Sequence, residues 1–260
     1  MLRNTEISEL RPEMIEVVRR AQHLVHSYLA GLAFIAKDTA RDPAFTSNHL
    51  LSYLSQDILQ SAMAVMTLTT EGVLNVVRRE LRFLIEASIK ICYVQQRSYS
   101  STIEEKLQLY DKVFQSQRIS IKNNLDLPLL SEGIREEFYE EVGRLYGATS
   151  KYVHLSPDQI VESIALAQAG ITSGMEGPSE VEKLNLLAER VLAASLVLLF
   201  HSVPSWVAGD WLVDRNGSTI DWHFVQSKFI ADLDQQFDYK HERQDRLAEI
   251  QAHRAVGIRF

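Results

Sequence analysis

Apolar residues recur along most of this chain at the spacing of three and four positions that places them on one face of an α-helix. The first such segment covers about residues 12–37 and opens on Pro12, a residue favoured in the first turn of a helix. Two more follow at about 48–70 and 72–97, and the short connection between them predicts antiparallel neighbours. The stretch 191–200 is apolar at nearly every position, which predicts a helix buried on all sides.

Capping residues indicate where several further helices begin. Thr102 and Glu105 form a capping box that opens a fourth helix, and Ser131 is predicted to cap a fifth. Ser156, the proline after it and Gln159 combine three start signals, so the fifth helix must end just before them and a sixth begin. The sequence therefore predicts an all-α antiparallel bundle of about seven or eight helices.

The segment 170–178 carries glycine, serine and proline and is the strongest linker signal in the chain. It divides the expected organisation into a helical bundle over 1–170 and a helical extension over 178–260 that packs on the bundle. Within the extension, Ser179 followed by Glu182 predicts the cap of a long helix.

Three features of this extension interrupt regular helix. Pro204 predicts a kink in the long helix, because proline cannot donate the backbone hydrogen bond that a helix interior needs. Asn216-Gly217 between roughly alternating apolar residues allows one small β-hairpin near 211–222. Residues 239–260 are mostly charged and predict either a frayed surface helix or an arm that docks a partner.

The composition is that of an ordinary globular protein, with 260 residues, 46% hydrophobic and 23% charged, and a formal net charge of -7. This total argues against a nucleic-acid binder whose whole surface is basic, although a local basic patch escapes the count. The start of the chain lacks the order of a secretory signal, and no apolar run reaches the roughly 20 residues of a membrane span. A single cysteine, Cys92, excludes an intrachain disulfide. We therefore expect a cytoplasmic protein without membrane contact.

Most common catalytic and cofactor-binding signatures are absent from the sequence. It has no glycine-rich nucleotide loop, no serine-hydrolase elbow and no zinc-peptidase motif. His23 and His26 stand three positions apart on one helix, but no third ligand accompanies them. We predict neither a metal nor a cofactor.

A basic stripe runs along the third predicted helix. Arg79, Arg82, Glu86 and Lys90 fall within about 80° of arc when each residue advances by 100°. One interpretation is a solvated face with favourable ion pairs one turn apart. The other is a surface that faces an anion, since basic residues outnumber acidic ones here although the whole chain is acidic.

The fifth predicted helix carries a second stripe, opposite its apolar face. Gly143, Gly147, Ser150 and His154 line up there. Glycine inside a helix costs about 0.5–1 kcal/mol relative to alanine, so two of them predict that another backbone or a ligand comes close. His154 would then lie in a crevice. The alternative is a close helix crossing in which His154 interacts with the last carbonyls of its helix.

Three short motifs together resemble a known family. They are Arg82-x-x-x-Glu86, Glu104-Glu105-Lys106 and Tyr146-x-x-x-Ser150-x-x-x-His154. Over about residues 45–165 they resemble a bacterial all-helical family of uncharacterised proteins related to the HEPN domains. This resemblance implies a helical, often dimeric protein, and many HEPN proteins are metal-independent ribonucleases of toxin and phage-defence systems.

The ribonuclease motif of that family, Arg-x4–6-His, is not reproduced here, because Arg144 and His154 are separated by nine residues. The resemblance implies instead a site drawn from adjacent helices. The candidate catalytic residues are His154, Arg82 and Glu86, and the candidate substrate-binding residues are Arg79, Tyr146, Ser150 and Lys151.

Two functions are consistent with these observations. The first is action on RNA or nucleotides, with His154 in a cleft within reach of Arg82. The second is a non-catalytic helical adaptor or homodimer that docks through its helical surfaces or its C-terminal arm.

Overall fold

The computed structural model describes residues 10–114, 124–154, 156–171, 176–254 and 257–258. Helices dominate these residues and no strand forms among them, so the all-α prediction is confirmed. The α-helices, numbered in chain order, are α1 Pro12–Thr39, α2 Phe45–Asn48, α3 Leu50–Thr70, α4 Leu74–Arg97, α5 Ile103–Phe114, α6 Glu132–Ser150, α7 Pro157–Gln168, α8 Pro178–Phe200, α9 Ser205–Leu212, α10 Lys228–Gln235 and α11 Leu247–His253. Two 3-10 helices, His223–Gln226 and His241–Arg246, lie between the last of them.

The four longest helices, α1, α3, α4 and α8, form the centre of the fold. They pack in a closed ring in which α1 and α4 each contact both α3 and α8. Helix α8 also contacts α6 and α10, so it is surrounded. This position explains why every residue from 191 to 200 is buried, as the unbroken apolar run predicted.

Residues from both sides of the predicted linker share one hydrophobic core. The long helix of the predicted extension, α8, lies at the centre of that core. Trp222 reaches back to α1, where its indole N–H donates to the carbonyl of Ser27 at 2.9 Å. Gly31 makes room for this ring, because a Cβ there would meet the indole at 2.8 Å.

Two of the predicted helix starts form as the sequence indicates. Thr102 and Glu105 exchange backbone-to-side-chain hydrogen bonds at 3.1 and 3.3 Å, which is a complete capping box. Ser156 accepts from the backbone N–H of Gln159 at 3.3 Å and is followed by the first-turn proline of α7. The prediction that Ser131 caps the fifth helix was wrong, because Ser131 precedes α6 but its hydroxyl donates to Asp232 on α10 and makes no capping bond.

The prediction for the long apolar helix was wrong at both ends. Helix α8 begins at Pro178 with Gly177 in the capping position, two residues before the expected serine cap. It stops at Phe200, and Pro204 precedes a separate helix, α9, instead of kinking a continuous one. A proline removes one helical hydrogen bond but suits a helix start, so the chain ends one helix and begins another.

The predicted hairpin near 211–222 is not present. The chain turns sharply at Gly217, with a φ of +83°, but only one antiparallel bridge forms, between Val213 and Thr219. Trp211, taken as part of a strand, belongs to the last turn of α9, and Trp222 packs into the core beside α1. The apolar residues near 211–222 alternate roughly as in a strand, but they have different tertiary partners. Their spacing therefore did not indicate a hairpin.

Eleven α-helices occur in the described ranges, where the pattern predicted seven or eight. The difference lies in short helices, among them the four-residue α2 and the eight-residue α9 and α10. A helix of one or two turns is too short to repeat the apolar spacing that reveals longer ones.

The charged C-terminal segment is anchored in its described part, which corrects the expectation of a frayed surface helix, while docking of a partner by this arm stays a prediction. Arg243 is fully buried and pairs with the buried carboxylate of Asp234 at 2.5 Å. Arg254 pairs with Asp234 at 2.9 Å and with Asp238 at 2.5 Å. A cationic side chain can be buried in this way because carboxylates, carbonyls and a hydroxyl accept hydrogen bonds from its two terminal nitrogens.

Two buried histidines fix the packing at one end of α8. The Nδ1 atom of His49 accepts from the backbone N–H of Leu51, and its Nε2 donates to the carbonyl of Ser202. His201 donates from Nδ1 to Val197 and accepts at Nε2 from the backbone of Leu129. Burial lowers the pKa of each imidazole to about 4, so both are neutral at pH 7.

No helix in the described part of the chain is both long and apolar enough to cross a membrane.

Candidate functional site

Arg82 of α4 forms the centre of a cluster that also contains three of the other predicted site residues. Its Nε donates to the hydroxyl of Ser150 at 2.9 Å, and its NH1 donates to the carboxylate of Glu86 at 2.5 Å. The guanidinium lies 3.4 Å from the ring centroid of Tyr146 on α6, a cation–π contact. These bonds use two of the five N–H groups of Arg82, and the described residues supply no hydrogen-bond acceptor for the others.

Glu86 is held between two cations on α4. It accepts from Arg82 on one side and pairs with Lys90 on the other at 2.6 Å. Burial by itself would raise the pKa of Glu86, but the hydrogen bond from Lys90 and the charge of Arg82 outweigh it and lower that pKa. The ionised carboxylate therefore orients Arg82, and the predicted ion pairs one turn apart are both present.

Arginines of α4 also hold the turn that follows α6. Arg79 donates from Nε to the carbonyl of Tyr152 at 2.8 Å. The guanidinium of Arg78 lies over the Tyr152 ring, 4.7 Å from its centroid. Because the turn spans residues 151–154, these contacts fix its position against the basic stripe.

His154 occupies this turn and is exposed. It forms no hydrogen bond or ion pair with the other described residues, and it does not line the cavity between α4, α7 and α8. Helix α6 ends at Ser150, four residues before the histidine. A following Ser-Pro pair explains this ending, because the residue before a proline avoids helical backbone angles. The structure therefore brings Arg82, Glu86, Tyr146 and Ser150 together and leaves His154 on the neighbouring turn.

Lys151 is turned away from Arg82. Its ammonium pairs with Glu162 of α7 at 2.7 Å, and the same carboxylate accepts from the Tyr152 hydroxyl at 2.8 Å. The hydrogen bond to Glu162 is the largest influence on Lys151 and raises its pKa. Lys151 therefore ties the turn to α7.

The expectation that another backbone approaches Gly143 and Gly147 was wrong. Both glycines are exposed, and a Cβ added at either would meet no atom of the described residues within 4 Å. The spacing correctly identified one face of α6, but it could not show whether another group covers that face.

One buried ion pair of α6 was not predicted from the sequence. Glu141 of α6 is fully buried and pairs with Arg190 of α8 at 2.5 Å and with Arg144 at 3.0 Å. Arg144 is the arginine whose spacing from His154 was compared with the ribonuclease motif of the resembled family. Its guanidinium pairs with the carboxylate of Glu141. No local signal predicts this, since Glu141 and Arg190 are 49 positions apart.

No group of three or more histidine, cysteine, aspartate or glutamate side chains in the described segments is placed to hold a metal ion. Comparison with protein-family models, with curated proteins and with solved structures found no match to this chain. The fold and the site thus define an all-helical protein with an arginine–tyrosine cluster beside an exposed histidine.

Proposed function

We propose that this protein acts on RNA or a nucleotide through a surface that carries Arg79, Tyr146 and His154, with the buried Arg82 stacked on the Tyr146 ring. The observation that supports this most is the stacking of the Arg82 guanidinium on Tyr146, whose ring is 38% exposed. An exposed ring backed by a cation offers a stacking surface for a base, and arginine donors bind phosphate oxygens. The bacterial toxin or phage-defence setting rests on the resemblance to the HEPN-related family.

The proposed reaction is cleavage of RNA without a metal. The 2′-oxygen attacks the adjacent phosphorus, the bond from phosphorus to the 5′-oxygen breaks, and a cyclic phosphate forms. His154 takes the proton of the 2′-hydroxyl, water returns a proton to the 5′-oxygen, and the exposed Arg79 neutralises the charge that develops on the phosphate. Glu86 acts as a positioning residue by holding Arg82.

Cleavage of labelled RNA in EDTA by wild type and His154→Ala tests this reaction. Loss of a general base lowers the rate by roughly 10²- to 10⁴-fold. His26→Ala is the matched control, since His26 is also exposed but lies on α1. Equal cleavage by wild type and His154→Ala, at matched folding by circular dichroism, would contradict the assignment of His154.

Binding is measured separately by fluorescence anisotropy of single-stranded RNA at several salt concentrations. Removing one phosphate contact in Arg79→Ala should reduce the slope of log affinity against log salt by about 0.7. Arg82→Lys keeps the charge but not the planar stack, so it should weaken binding with little change in that slope. Absence of binding by the wild type would refute the proposed function.

A second candidate function is homodimerisation, and helix α7 is the observation that favours it. Gln159 is its one buried residue, whereas Ile160, Val161 and Ile164 are 47%, 64% and 51% exposed. Isolated helices of this length are marginal in water, so an apolar face left uncovered is costly.

The arrangement of large and small residues on α7 fits a second copy of the same helix. Its first half carries Ile160 and Val161, and its second half carries Ala165 and Ala167. In an antiparallel pair about a two-fold axis near Ile164, Ile160 of each copy would lie over an alanine in the second half of the other copy.

Sedimentation equilibrium at micromolar concentration tests the dimer, with Ile164→Lys expected to give a monomer. Leu107→Lys is the control, because Leu107 is 54% exposed but lies on α5. A monomeric wild type would refute this candidate.

A further inference from the structure

Asn216 and Gly217 form the only asparagine–glycine pair in the sequence, and they lie in the sharp turn that follows α9. Asn216 is exposed, whereas Gly217 is buried and has a φ of +83°. A glycine after an asparagine favours attack of its backbone nitrogen on the side-chain amide, because it has no Cβ to hinder the approach and can adopt the required backbone angles. The pair is therefore capable of deamidation, and its surroundings decide when it reacts.

The reaction needs only these two residues and water. The backbone nitrogen of Gly217 attacks Cγ of Asn216, the proton of that nitrogen passes to water, and the bond from Cγ to Nδ2 breaks as ammonia leaves. Water then opens the resulting cyclic imide at one of its two carbonyls. One product is aspartate. The other is isoaspartate, in which the main chain passes through the side chain and is one carbon atom longer.

Hydrogen bonds within the turn hold both reacting groups in place. The N–H of Gly217 donates to the carbonyl of Asp214 at 2.8 Å. The Oδ1 atom of Asn216 accepts from the backbone N–H and the hydroxyl of Ser218, at 2.9 and 2.7 Å. The attacking nitrogen must lose its proton and approach Cγ in the correct geometry, so these bonds have to open first.

The second 3-10 helix, at residues 241–246, covers the turn. A Cβ at Gly217 would lie 1.8 Å from the carbonyl oxygen of Glu242, so the two backbones are in direct contact. The NH2 group of Arg243 donates to the carbonyl of Leu212 and to the hydroxyl of Thr219, each at 3.3 Å. These two acceptors lie on opposite sides of the turn in the chain. The C-terminal segment 239–254 thus closes the turn and holds its two sides together.

The isoaspartyl product does not fit this closed arrangement. An additional main-chain atom before Gly217 displaces the glycine, and the contact with Glu242 leaves no room for the displacement. We infer that Asn216-Gly217 is a deamidation site that the C-terminal segment 239–254 seals, and that its isoaspartyl product keeps this segment from closing again. The inference goes beyond the proposed function, since it involves none of the residues around Arg82.

Peptide mapping of the full chain by mass spectrometry, after incubation at neutral pH, tests the seal. Conversion of Asn216 adds about 1 Da and should be slower in the native protein than in urea by about 10-fold or more. Arg243→Met should speed conversion in the native protein by about 10-fold or more, because the segment opens more often. Arg246→Met is the matched control, since Arg246 lies on the same 3-10 helix but pairs with Glu249, and it should convert as wild type does.

Thr219→Val keeps the test valid if Arg243→Met does not fold. It removes only the hydroxyl that joins Arg243 to Asp234, and it should speed conversion by a smaller factor. Circular dichroism identifies the variants that retain the helical fold. Native conversion as fast as in urea, or one rate for wild type and the folded variants, would overturn the seal. Absence of conversion in urea would overturn the site itself.

Hydrogen exchange of the purified isoaspartyl product tests the second part of the inference. Segment 239–254 should exchange about 10-fold or more faster than in the unmodified chain, while helix α8 keeps its protection. Asn216→Asp carries the same added charge on a main chain of normal length, so this segment should exchange as in wild type. Equal protection of 239–254 in the isoaspartyl product and in the unmodified chain would show that the product does not hold the segment open.

Discussion

Two buried histidines should make this protein lose stability between pH 7 and pH 5. His49 and His201 have pKa values of about 4 in the fold, against 6.5 for an unperturbed imidazole. The unfolded chain therefore binds more protons than the folded chain in this range, and the free energy of unfolding falls as the pH falls below 6.5. Each histidine accounts for about 3 kcal/mol in total, of which about 2 kcal/mol is lost by pH 5.

The substitution His201→Gln isolates one of these contributions. Glutamine retains a donor and an acceptor for Val197 and Leu129 but does not titrate. Urea unfolding at pH 7 should show a variant less stable than wild type by about 1–3 kcal/mol, since the replacement is imperfect. Between pH 7 and pH 5 the variant should lose about 2 kcal/mol less than wild type does.

His26→Gln is the control, because the same chemical change falls on an exposed residue of α1. It should follow wild type at both pH values within about 0.5 kcal/mol. If His201→Gln loses as much stability as wild type on acidification, then His201 is not held neutral and the argument from its two hydrogen bonds fails.

Three further predictions concern stability and reactivity. Arg243→Met should destabilise the protein by about 3–5 kcal/mol in urea unfolding, because Asp234 would remain buried without its main cation; a change below 1 kcal/mol would contradict this. Gly143→Ala and Gly147→Ala should each stabilise by about 0.5–1 kcal/mol, and a loss of stability would show that another group does approach this face. Burial raises the pKa of the Cys92 thiol, so Ellman's reagent should react with it only as fast as the chain unfolds, and rapid modification of the native protein would refute this.

The face of α4 that carries the arginines was predictable from the sequence, and so were the ion pairs along it. Arg82, Glu86 and Lys90 are separated by one helical turn each, so the periodicity of the helix alone brings them together. The contact between Arg82 and Ser150 joins positions 68 apart and depends on how α4 packs against α6. Local spacing includes no information about such a partner.

His154 is a residue whose position local spacing predicted incorrectly. Its spacing from Ser150 extended the pattern of α6 by one turn, but the helix ends at Ser150 and the histidine lies on an exposed turn. The Ser-Pro start of α7 was visible in the sequence and indicated that α6 must stop. It did not indicate that residues 151–154 would form a turn held by Arg78 and Arg79.

The sequence by itself determined the helical class, the long helices, the capping box at Thr102 and the complete burial of residues 191–200. These depend on residues within about four positions of one another, or on an apolar run that no exposed helix tolerates. The tertiary structure alone decided that Arg243 is buried, that no described residue covers Gly143 and that Gln159 is the buried residue of α7. Each of these outcomes is set by which helix lies opposite, and an amphipathic pattern specifies that a face is covered without specifying by what.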